Sequence, residues 1–374
     1  MTEDSLHAII GIHESYTRSL ILETLKINFP NIQINIISPN NASFRTNKTI
    51  SSPTFYWLEY EDIDFEQLYD NSKITLANSY CIRKGLIRKA QLNFNLNKYI
   101  SKRPNCSLVR AVPETWVFEV AHVDYFDEAL DDVFEVVTEC EANKQIENFE
   151  GKHVFILKPN LGNKAASVLV FDSIEQLRAV FEHVSSSRMV SNIKVYLYKD
   201  MLALFALLPY IPNEIQNTFS HITNTCIQTS EVTFVESDQV KLFWDLSDND
   251  HDEHKNTNGV TKEDLLAIFN QIKKILSECF EAVVSEVTQF MPMENAFELF
   301  GFDFLVDVNK QVYILEANSF PDFKQTGDRL SHVIANLFKE TVELAVVPFF
   351  SENVVKVDSN EKNEDSRFVL VYER

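Results

Sequence analysis

Three acidic residues interrupt two apolar runs in the C-terminal third of the chain. The stretch is GFDFLVDVNKQVYILEAN, residues 301–318, and its acidic members are Asp303, Asp307 and Glu316. Carboxylate oxygens are ligands that Mg²⁺ prefers in proteins, so these residues are candidates for a metal site. Whether they act together depends on how the chain folds between them.

The residue types in this stretch predict a β-hairpin. Phe302–Val308 and Gln311–Asn318 are rich in Phe, Val, Ile and Tyr, which favour strands. The intervening residues 309–310 predict a two-residue turn. Counting outward from that turn places Asp303 directly opposite Glu316.

Successive side chains of a strand point to opposite faces, so the carboxylates are predicted to share one face of the hairpin. That face would hold Asp303, Leu305, Asp307, Val312, Ile314, Glu316 and Asn318. The other face would hold Phe302, Phe304, Val306, Tyr313 and Leu315. Because both faces are mostly apolar, we expect the hairpin to be covered on both sides.

Two carboxylates that face each other across a strand pair repel and need compensation. At about 5 Å and an effective dielectric constant near 20, the repulsion is about 3 kcal/mol. A shared proton, a basic neighbour or a divalent cation would offset it, and Asn318 could add an oxygen ligand or donate to a phosphate. Geometry alone leaves a second interpretation open, in which the hairpin lies at a sheet edge and one carboxylate faces water.

The size and composition of the chain are those of a globular protein with a large core. It has 374 residues, of which 45% are hydrophobic, and this is enough for two or three packed subdomains. No apolar run reaches membrane-spanning length, and the acidic start MTEDSLHAII does not predict a signal peptide. The 5 cysteines are scattered without a CxxC pair, which predicts reduced thiols in the cytosol.

The charge balance is strongly acidic and argues against general nucleic-acid binding. The chain has 34 basic and 55 acidic residues, for a formal net charge of -21, whereas nucleic-acid binding requires basic surface. An acidic peptide substrate is disfavoured for the same reason. The best candidate for a local basic patch is the segment that contains Arg83, Lys84, Arg88 and Lys89.

Hydrophobic periodicity predicts an N-terminal βαβ unit followed by mixed strands and helices, so the fold class is α/β with α+β elements. The predicted strands are His7–Ile12, Ile32–Ser38, Thr54–Tyr60, Trp116–Val120, Val154–Leu157, two runs within Lys194–Leu208, and Phe368–Tyr372. The predicted helices are Ser15–Asn28, Phe65–Asn71, Tyr80–Ile100, Asp124–Asn143, Ile174–His183, a long amphipathic helix capped by Thr261, and Leu330–Val347. Polar loops are predicted over Pro39–Pro53, Asp245–Asn258 and Ser351–Ser366.

Cationic side chains able to bind phosphate occur at two places. Lys158 ends a predicted strand and precedes Pro159, so its ammonium group can point into a cleft. Gly162 and Lys164 follow in a short loop that could close over phosphates. Lys89 is the second candidate cation. The polar quartet HITN farther along the chain is able to supply hydroxyl and amide groups.

Five segments carry a resemblance to a known family. They are RKAQL (88–92), VPETW (112–116), ILKP (156–159), HITNTCIQ (221–228) and FELFGFDFLVDVNKQVYILEAN (297–318). In this order they resemble the tubulin-tyrosine-ligase-like family, and the resemblance covers roughly residues 80–348. The HITN and LFGFDF…LEAN segments are very specific, whereas ILKP alone is weak.

The resemblance implies an ATP-grasp fold with an N-terminal βαβ subdomain, a central subdomain and a C-terminal mixed or antiparallel sheet. Enzymes of this family join an amino acid to a carboxylate through an acyl phosphate, which implies ATP and Mg²⁺ as cofactors. The residues implied to contact the nucleotide are Lys89, Lys158, Gly162, Lys164, Thr223 and Asn224. Those implied to hold Mg²⁺ are Asp303, Glu316 and Asn318, catalysis would rest on Lys89 and Lys158, and Asp307 would have a rim or structural role.

The residue pattern and the resemblance together predict a division of the chain into subdomains. Residues 1–79 would form the N-terminal βαβ subdomain, and 80–150 a linker helix with the start of the central subdomain. The phosphate loop would lie in the central subdomain, 151–220. The metal-binding hairpin would lie in the C-terminal subdomain, 221–350, which a polar tail and a possible last strand follow at 351–374.

Three features depart from the family pattern. Ala165 and Ser167 stand where the family has a Gly-x-Gly pair that lets backbone N–H groups approach phosphate. Leu204 stands where the tubulin-modifying members have an arginine for the acceptor carboxylate, so tubulin is not expected as the acceptor. The chain is also short near residues 187–194, which means either a lost adenine hinge or an omitted stretch.

The stretch YLYKDMLALFALLPY, residues 196–210, resembles the fungal branch of the family. There such a domain forms the C-terminal half of a P-body-associated protein that partners the mRNA decapping enzyme. The resemblance therefore implies a cytoplasmic, P-body location and a partner in the decapping machinery. The acidic charge and the lack of a long apolar run predict no direct nucleic-acid or membrane contact. Two functions follow: a binding module that has kept the fold, and an active ATP-dependent carboxylate–amine ligase with a non-tubulin acceptor.

Overall fold

The structure is a computed structural model that describes most of the chain. The described residues are 6–37, 50–120, 125–147, 151–160, 168–177, 193–211, 214, 217–247, 260–286, 288–323, 328–354 and 366–374. The predicted phosphate-loop residues Gly162 and Lys164, with Ala165 and Ser167, lie outside these ranges, as does most of 187–194. None of the described helices combines the length and apolar composition that a membrane span requires.

A four-stranded parallel sheet forms the N-terminal part, as the alternating strand and helix pattern predicts. Its strands are β1 (His7–Gly11), β2 (Gln33–Ile36), β3 (Thr54–Leu58) and β4 (Thr75–Ala77), in the spatial order β2-β1-β3-β4. Helices α1 (Ser15–Asn28) and α2 (Phe65–Asp70) connect them. Strand β3 is buried along its whole length, which explains why its sequence TFYWL is apolar after Thr54.

Separate helices replace the single helix predicted for Tyr80–Ile100. They are α3 (Lys84–Ile87), α4 (Lys89–Lys102) and, after them, α5 (Leu108–Ala111). Arg88 has an extended backbone between α3 and α4, with φ -97° and ψ 121°. Hydrophobic spacing did not reveal this break because one extended residue leaves helical spacing on both sides of it. The break makes Lys89 the first residue of α4.

The central part of the chain has a small core of its own. It contains α6 (Phe126–Ala129), a 3-10 turn (Leu130–Val133), α7 (Phe134–Asn143), the antiparallel strands β5 (Phe155–Leu157) and β6 (Leu169–Phe171), and α8 (Ile174–Leu177). Trp116–Val120, predicted as a strand, has no regular secondary structure. Trp116 and Phe118 nevertheless pack on this core, so the apolar alternation reflects burial rather than strand pairing.

The next part leads into the long predicted helix. Its elements are β7 (Lys194–Tyr198), β8 (Leu202–Leu204), α9 (Thr218–His221), α10 (Thr225–Gln228), α11 (Glu236–Gln239), β9 (Val240–Leu242), a 3-10 turn (Phe243–Leu246) and α12 (Lys262–Val284). Strands β8 and β9 pair antiparallel. Thr261 caps α12 as predicted, because Thr261 Oγ1 accepts from Asp264 N at 3.1 Å and Asp264 Oδ2 accepts from Thr261 N at 3.0 Å.

The C-terminal part packs a hairpin on α12 and returns to the N-terminal sheet. Its elements are β10 (Phe300–Val306), β11 (Val312–Ser319), α13 (Ser331–Thr341), a π-helical turn (Val342–Val346), α14 (Val347–Val354) and β12 (Phe368–Glu373). Strand β12 confirms the predicted last strand and pairs with β7. Phe338 of α13 and Phe350 of α14 share a core with Phe55 and Trp57 of the parallel sheet. Segments far apart in sequence therefore fix the frame that carries the hairpin.

Candidate functional site

The hairpin β10–β11 places Asp303 directly opposite Glu316, as the sequence predicts. Its loop is longer than the predicted two-residue turn, because regular pairing ends at Val306 and Val312. One extra residue, Leu315, bulges from β11 just before Glu316. The longer loop and the bulge each shift the register by one residue in opposite directions. The predicted pairing is therefore recovered through two compensating departures.

The bulge changes which side chains share a face of the hairpin. Ile314 pairs with Phe304 and is 3% exposed, within the core against α12, whereas Glu316 pairs with Asp303 in the cleft. Val312 is also fully buried in that core. The prediction that Val312 and Ile314 share the face of Asp303 is wrong, because an extra residue in one strand reverses the alternation of its side chains.

Two lysines converge on Glu316. Lys89 Nζ lies 3.3 Å from Glu316 Oε2, and Lys158 Nζ lies 4.0 Å from the same oxygen. Lys89 begins α4 and Lys158 follows β5, so separate parts of the chain supply them. Asn160 joins these parts, because its Oδ1 accepts the N–H of Ala90 at 3.0 Å. The loop that carries Lys158 thus caps the helix that begins with Lys89.

Asn318 bridges the two carboxyl groups, and its Nδ2 lies 3.2 Å from Glu316 Oε1 and 3.4 Å from Asp303 Oδ2. Asp303 is open to solvent on its cleft side but surrounded by protein elsewhere; this burial raises its pKa, and the adjacent Glu316 raises it further. Burial also acts to raise the pKa of Glu316, but Lys89, Asn318 and Lys158 outweigh it, and the net pKa is lowered. Glu316 therefore carries the charge of the pair, and Asp303 is the first of the two to take a proton.

Thr223 and Asn224, the second half of the HITN quartet, line the same cleft. Asn224 Oδ1 accepts a backbone N–H of α10 at 2.9 Å and so caps that helix. Gln228 follows this segment in α10, is fully buried and hydrogen-bonds to its backbone. Its Oε1 accepts from Leu207 N at 2.9 Å, and its Nε2 donates to the carbonyl of Ile222.

Asp307 has a structural role at the tip of the hairpin, as expected for the third acidic residue of the stretch. Its Oδ1 accepts the backbone N–H groups of Asn309 and Gln311, both at 2.8 Å. Gln271 of α12 holds the same loop, because its Nε2 donates to the carbonyl of Lys310 at 2.8 Å. Asp307 is therefore committed to the loop and not to the Asp303–Glu316 pair.

The predicted site residues that the structure describes all line one cleft of about 1680 Å³. They are Lys89, Lys158, Thr223, Asn224, Asp303, Glu316 and Asn318. Apolar side chains such as Ile156 and Phe205 line other walls, and Leu204 also lies there with 43% of its surface exposed. The volume is above the roughly 300–1,000 Å³ of ordinary small-molecule pockets, so its size does not exclude a ligand as large as a nucleotide.

The donor set suits Mg²⁺ held together with phosphates. Within the described part of the chain, no group of three or more His, Cys, Asp or Glu side chains could hold a metal by itself. Asp303 and Glu316 supply carboxylates and Asn318 an amide oxygen, and Mg²⁺ commonly takes one or two carboxylates and completes its shell with waters and phosphate oxygens. The two neighbouring lysines are the complementary groups for those phosphates. The residues present therefore fit a magnesium–nucleotide complex.

Several supporting residues were not singled out from the sequence. Gln228 was quoted within HITNTCIQ, but nothing local marks it as buried. Arg83 was assigned to a basic surface patch, yet it is 6% exposed and forms an ion pair of 2.9 Å with Glu298, which is 2% exposed. The predicted patch therefore lacks Arg83. The available signal was the isolated charge of Glu298 within the apolar run FELFGF.

Comparisons with known proteins extend the resemblance. A model of the tubulin-tyrosine ligase family matches residues 183–354. A Schizosaccharomyces pombe protein named "Probable tubulin--tyrosine ligase C12B10.04" is 31% identical over 426 residues, which cover 99% of this chain and 97% of that protein. "Probable tubulin--tyrosine ligase PBY1" of Saccharomyces cerevisiae is 28% identical over 85% of this chain. The match covers 48% of PBY1, so this chain spans about half the length of that relative.

A solved structure is similar over nearly the full length. It is the crystal structure of the C-terminal domain from K. lactis Pby1, described as an ATP-grasp enzyme interacting with the mRNA decapping enzyme Dcp2. The TM-score is 0.66 at 28% sequence identity, with 98% of both chains covered. This likeness confirms the expected ATP-grasp fold, and it reaches well beyond residues 80–348.

Proposed function

Because this chain belongs to the tubulin-tyrosine ligase family, we propose that its cleft binds ATP together with Mg²⁺. The observation that carries the proposal is the convergence of two lysines, two carboxyl groups and an amide in the cleft. In this proposal Lys89 and Lys158 bind the phosphates, while Asp303, Glu316 and Asn318 hold the metal.

The contacts within the site support this division of roles. Lys89 and Lys158 both face Glu316, and a phosphate group would offer them the same negative charge. Asn318 donates to both carboxyl groups. A bound cation would take over this compensation of their negative charge. When bound, Mg²⁺ would neutralise charge on the phosphates. The lysine and amide contacts thus compensate the acidic pair in the structure.

Other residues would complete the nucleotide site. Thr223 and Asn224, which also line the cleft, offer a hydroxyl and an amide. We also propose that Gly162 and Lys164 contact the phosphates, from their place in sequence after Lys158. Catalysis in such a site would be electrostatic, with Lys89 and Lys158 stabilising the charge of the transferred phosphoryl group.

The biological role that we propose is the binding of the mRNA decapping enzyme. The K. lactis Pby1 domain is described as interacting with Dcp2, and its likeness to this chain covers 98% of both. With this partner we propose a cytoplasmic, P-body location and a role in mRNA decay. The formal net charge of -21 supports contact through protein rather than directly through RNA.

The second candidate function is an active ATP-dependent carboxylate–amine ligase. The retained Lys158, Asp303, Glu316 and Asn318 favour it. Leu204 on the cleft wall supports an acceptor other than tubulin, because an aliphatic side chain cannot bind the acceptor carboxylate that the family arginine binds. Turnover of ATP with a panel of carboxylate acceptors and amino acids distinguishes this function from a docking role alone.

Calorimetry of ATP with Mg²⁺ tests the proposed binding. We expect the unchanged chain to bind, and the Glu316→Gln and Lys158→Ala variants to bind about 10- to 100-fold more weakly, because each loses a charged contact. Glu23→Gln and Lys73→Ala are matched controls, since both residues are exposed and lie outside the cleft. Absence of binding by the unchanged chain would refute the proposal.

A pull-down with the purified decapping enzyme tests the partner. We expect capture at micromolar concentrations, with or without ATP. If the Lys158→Ala variant still captures the enzyme, docking does not depend on nucleotide binding. No capture by the unchanged chain at micromolar concentrations would contradict the proposed role, and acceptor-dependent ATP turnover would then favour the ligase.

A further inference from the structure

Arg83 and Glu298 form a buried ion pair beside the cleft. Arg83 Nη1 lies 2.9 Å from Glu298 Oε1, and the two side chains are almost fully buried. Glu298 Oε2 accepts the N–H of Tyr80 at 3.1 Å, and Arg83 also donates to the hydroxyl of Ser79. Removing two charges from water is costly, and an apolar pair of similar volume is often as stable. The pair therefore calls for an explanation other than stability.

Two aromatic rings enclose the guanidinium group. Arg83 Cζ lies 3.8 Å from the centre of the Tyr60 ring and 4.9 Å from the centre of the Phe320 ring. Phe320 has a positive φ of 62°, a conformation that bulky residues rarely adopt. Such a conformation persists where surrounding contacts hold it. Phe320 directly follows β11, and its contact with Arg83 helps to hold it in this conformation.

These contacts join the segments that carry the proposed site. Glu298 lies on the approach to β10, the strand of Asp303, and Phe320 follows directly after β11. Arg83 precedes Lys89 along the chain and is separated from it only by α3 and Arg88. The guanidinium group of Arg83 thus contacts a residue just before β10 and a residue just after β11. Arg83 itself belongs to the segment that leads into α4.

We propose that Arg83 is a positioning residue for this site. It fixes the open end of the hairpin relative to the start of α4, so that Lys89 Nζ meets Glu316 Oε2 at 3.3 Å. The inference rests on the proposed function, in which these two residues serve phosphate and Mg²⁺. A guanidinium group is planar and stacks on rings while its N–H groups pair with a carboxylate, whereas a lysine ammonium lacks this planar face.

The first test uses the protein without nucleotide. Urea unfolding of the unchanged chain, Lys89→Ala, Glu316→Gln and the double variant gives the coupling between the two side chains. The same cycle is then measured in the Arg83→Lys background. We expect the coupling to be lost there. Equal coupling in both backgrounds overturns the inference, whether or not the chain binds ATP.

The second test uses calorimetry with Mg²⁺ and ATP. We expect Arg83→Lys to weaken binding about tenfold, as for residues that orient metal ligands, and to have little effect when Lys89→Ala is already present. Losses that simply add would show that Arg83 does not act through Lys89 and would overturn the inference. Failure of the unchanged chain to bind would refute the proposed function instead, and the first test would still decide the role of Arg83.

Two further variants keep the tests decisive. If Arg83→Lys does not fold, Phe320→Leu replaces it in both experiments, because it removes one ring and leaves the ion pair. Arg103→Lys is the matched control. Arg103 also covers a tyrosine, with Cζ 4.2 Å from the Tyr99 ring, and pairs with Glu281 at 3.2 Å, but it does not line the cleft. We expect this control to change neither the coupling nor the affinity.

Discussion

Ile314 and Glu316 lie on opposite faces of the hairpin although a single residue separates them in β11. Ordinary alternation would place both on one face, either a carboxylate in the core or an isoleucine in the cleft. The bulge at Leu315 removes this conflict, because it lets the apolar half of the strand pack on α12 while the polar half faces the lysines. The site thus depends on one extra residue in one strand.

The Asp303→Asn variant is expected to stabilise the fold without Mg²⁺ and to weaken Mg²⁺–ATP binding. The change removes the repulsion between the two carboxylates, which is at most about 3 kcal/mol. Because the lysines and solvent weaken this repulsion, we expect the free energy of unfolding to rise by about 1 kcal/mol. Urea unfolding in the presence of a chelator measures it. Glu316→Gln is the comparison and should not stabilise, because Glu316 pairs with Lys89. Destabilisation by Asp303→Asn would contradict the assigned repulsion.

The Gln228→Ala variant is expected to lower both stability and nucleotide affinity. Gln228 is fully buried and holds the backbone of Leu207 and Ile222, so its loss leaves buried polar groups without partners, at a cost of about 2 kcal/mol. Unfolding and calorimetry measure the two effects. Gln239→Ala is the control, because Gln239 is only partly buried and its Oε1 accepts a long, 3.3 Å bond from Val235 N. Unchanged affinity in a destabilised Gln228→Ala variant would show that the HITN segment does not depend on this side chain.

The Glu298 carboxyl group is expected to make stability depend on pH. Burial, only partly opposed by Arg83, raises its pKa from 4.5 to about 7. The folded chain therefore keeps a proton that the unfolded chain has lost between these values. This contribution to stability is complete below about pH 4.5 and is lost as the pH rises through about 7.

Comparison with Glu298→Gln isolates this contribution, since the variant cannot titrate at that position. The free energy of unfolding of the unchanged chain, minus that of the variant, should fall by about 3 kcal/mol between pH 4.5 and 8. Urea unfolding at each pH provides the measurement. A difference that stays constant, or that rises with pH, would show that the pKa of Glu298 is not raised in the folded chain.

The Lys310→Gly variant is expected to stabilise the hairpin tip. Lys310 has a positive φ of 64°, which glycine adopts without steric cost. We expect a gain of about 0.5–1 kcal/mol in the free energy of unfolding. Asn309→Gly is the control, because Asn309 does not have a positive φ and glycine there only adds freedom to the unfolded chain. A stabilisation of equal size in both variants would contradict the explanation from backbone strain.

The sequence by itself determined which two carboxylates of the hairpin form a candidate pair. The strand composition and the spacing on either side of residues 309–310 predicted Asp303 opposite Glu316, and the structure has this pair because the longer loop and the bulge shift the register in opposite directions. Lys158 was singled out because it ends a predicted apolar strand, and the HITN segment because it is a polar quartet. Local patterns carry such information because residue spacing fixes which side chains an element presents. The specific segments also indicated the ATP-grasp fold, which the comparison with a solved structure confirmed.

Only the tertiary structure decided how these residues meet. The bulge at Leu315 and the break at Arg88 leave the residue pattern on either side intact, and the capping of α4 by Asn160 joins residues 70 positions apart, so no local pattern predicts them. The same holds for Arg83, whose charge suggested the surface although Glu298 and two rings hold it in the interior. A charged side chain is buried only when a partner compensates it, and that partner is defined by packing between segments rather than by the sequence around it.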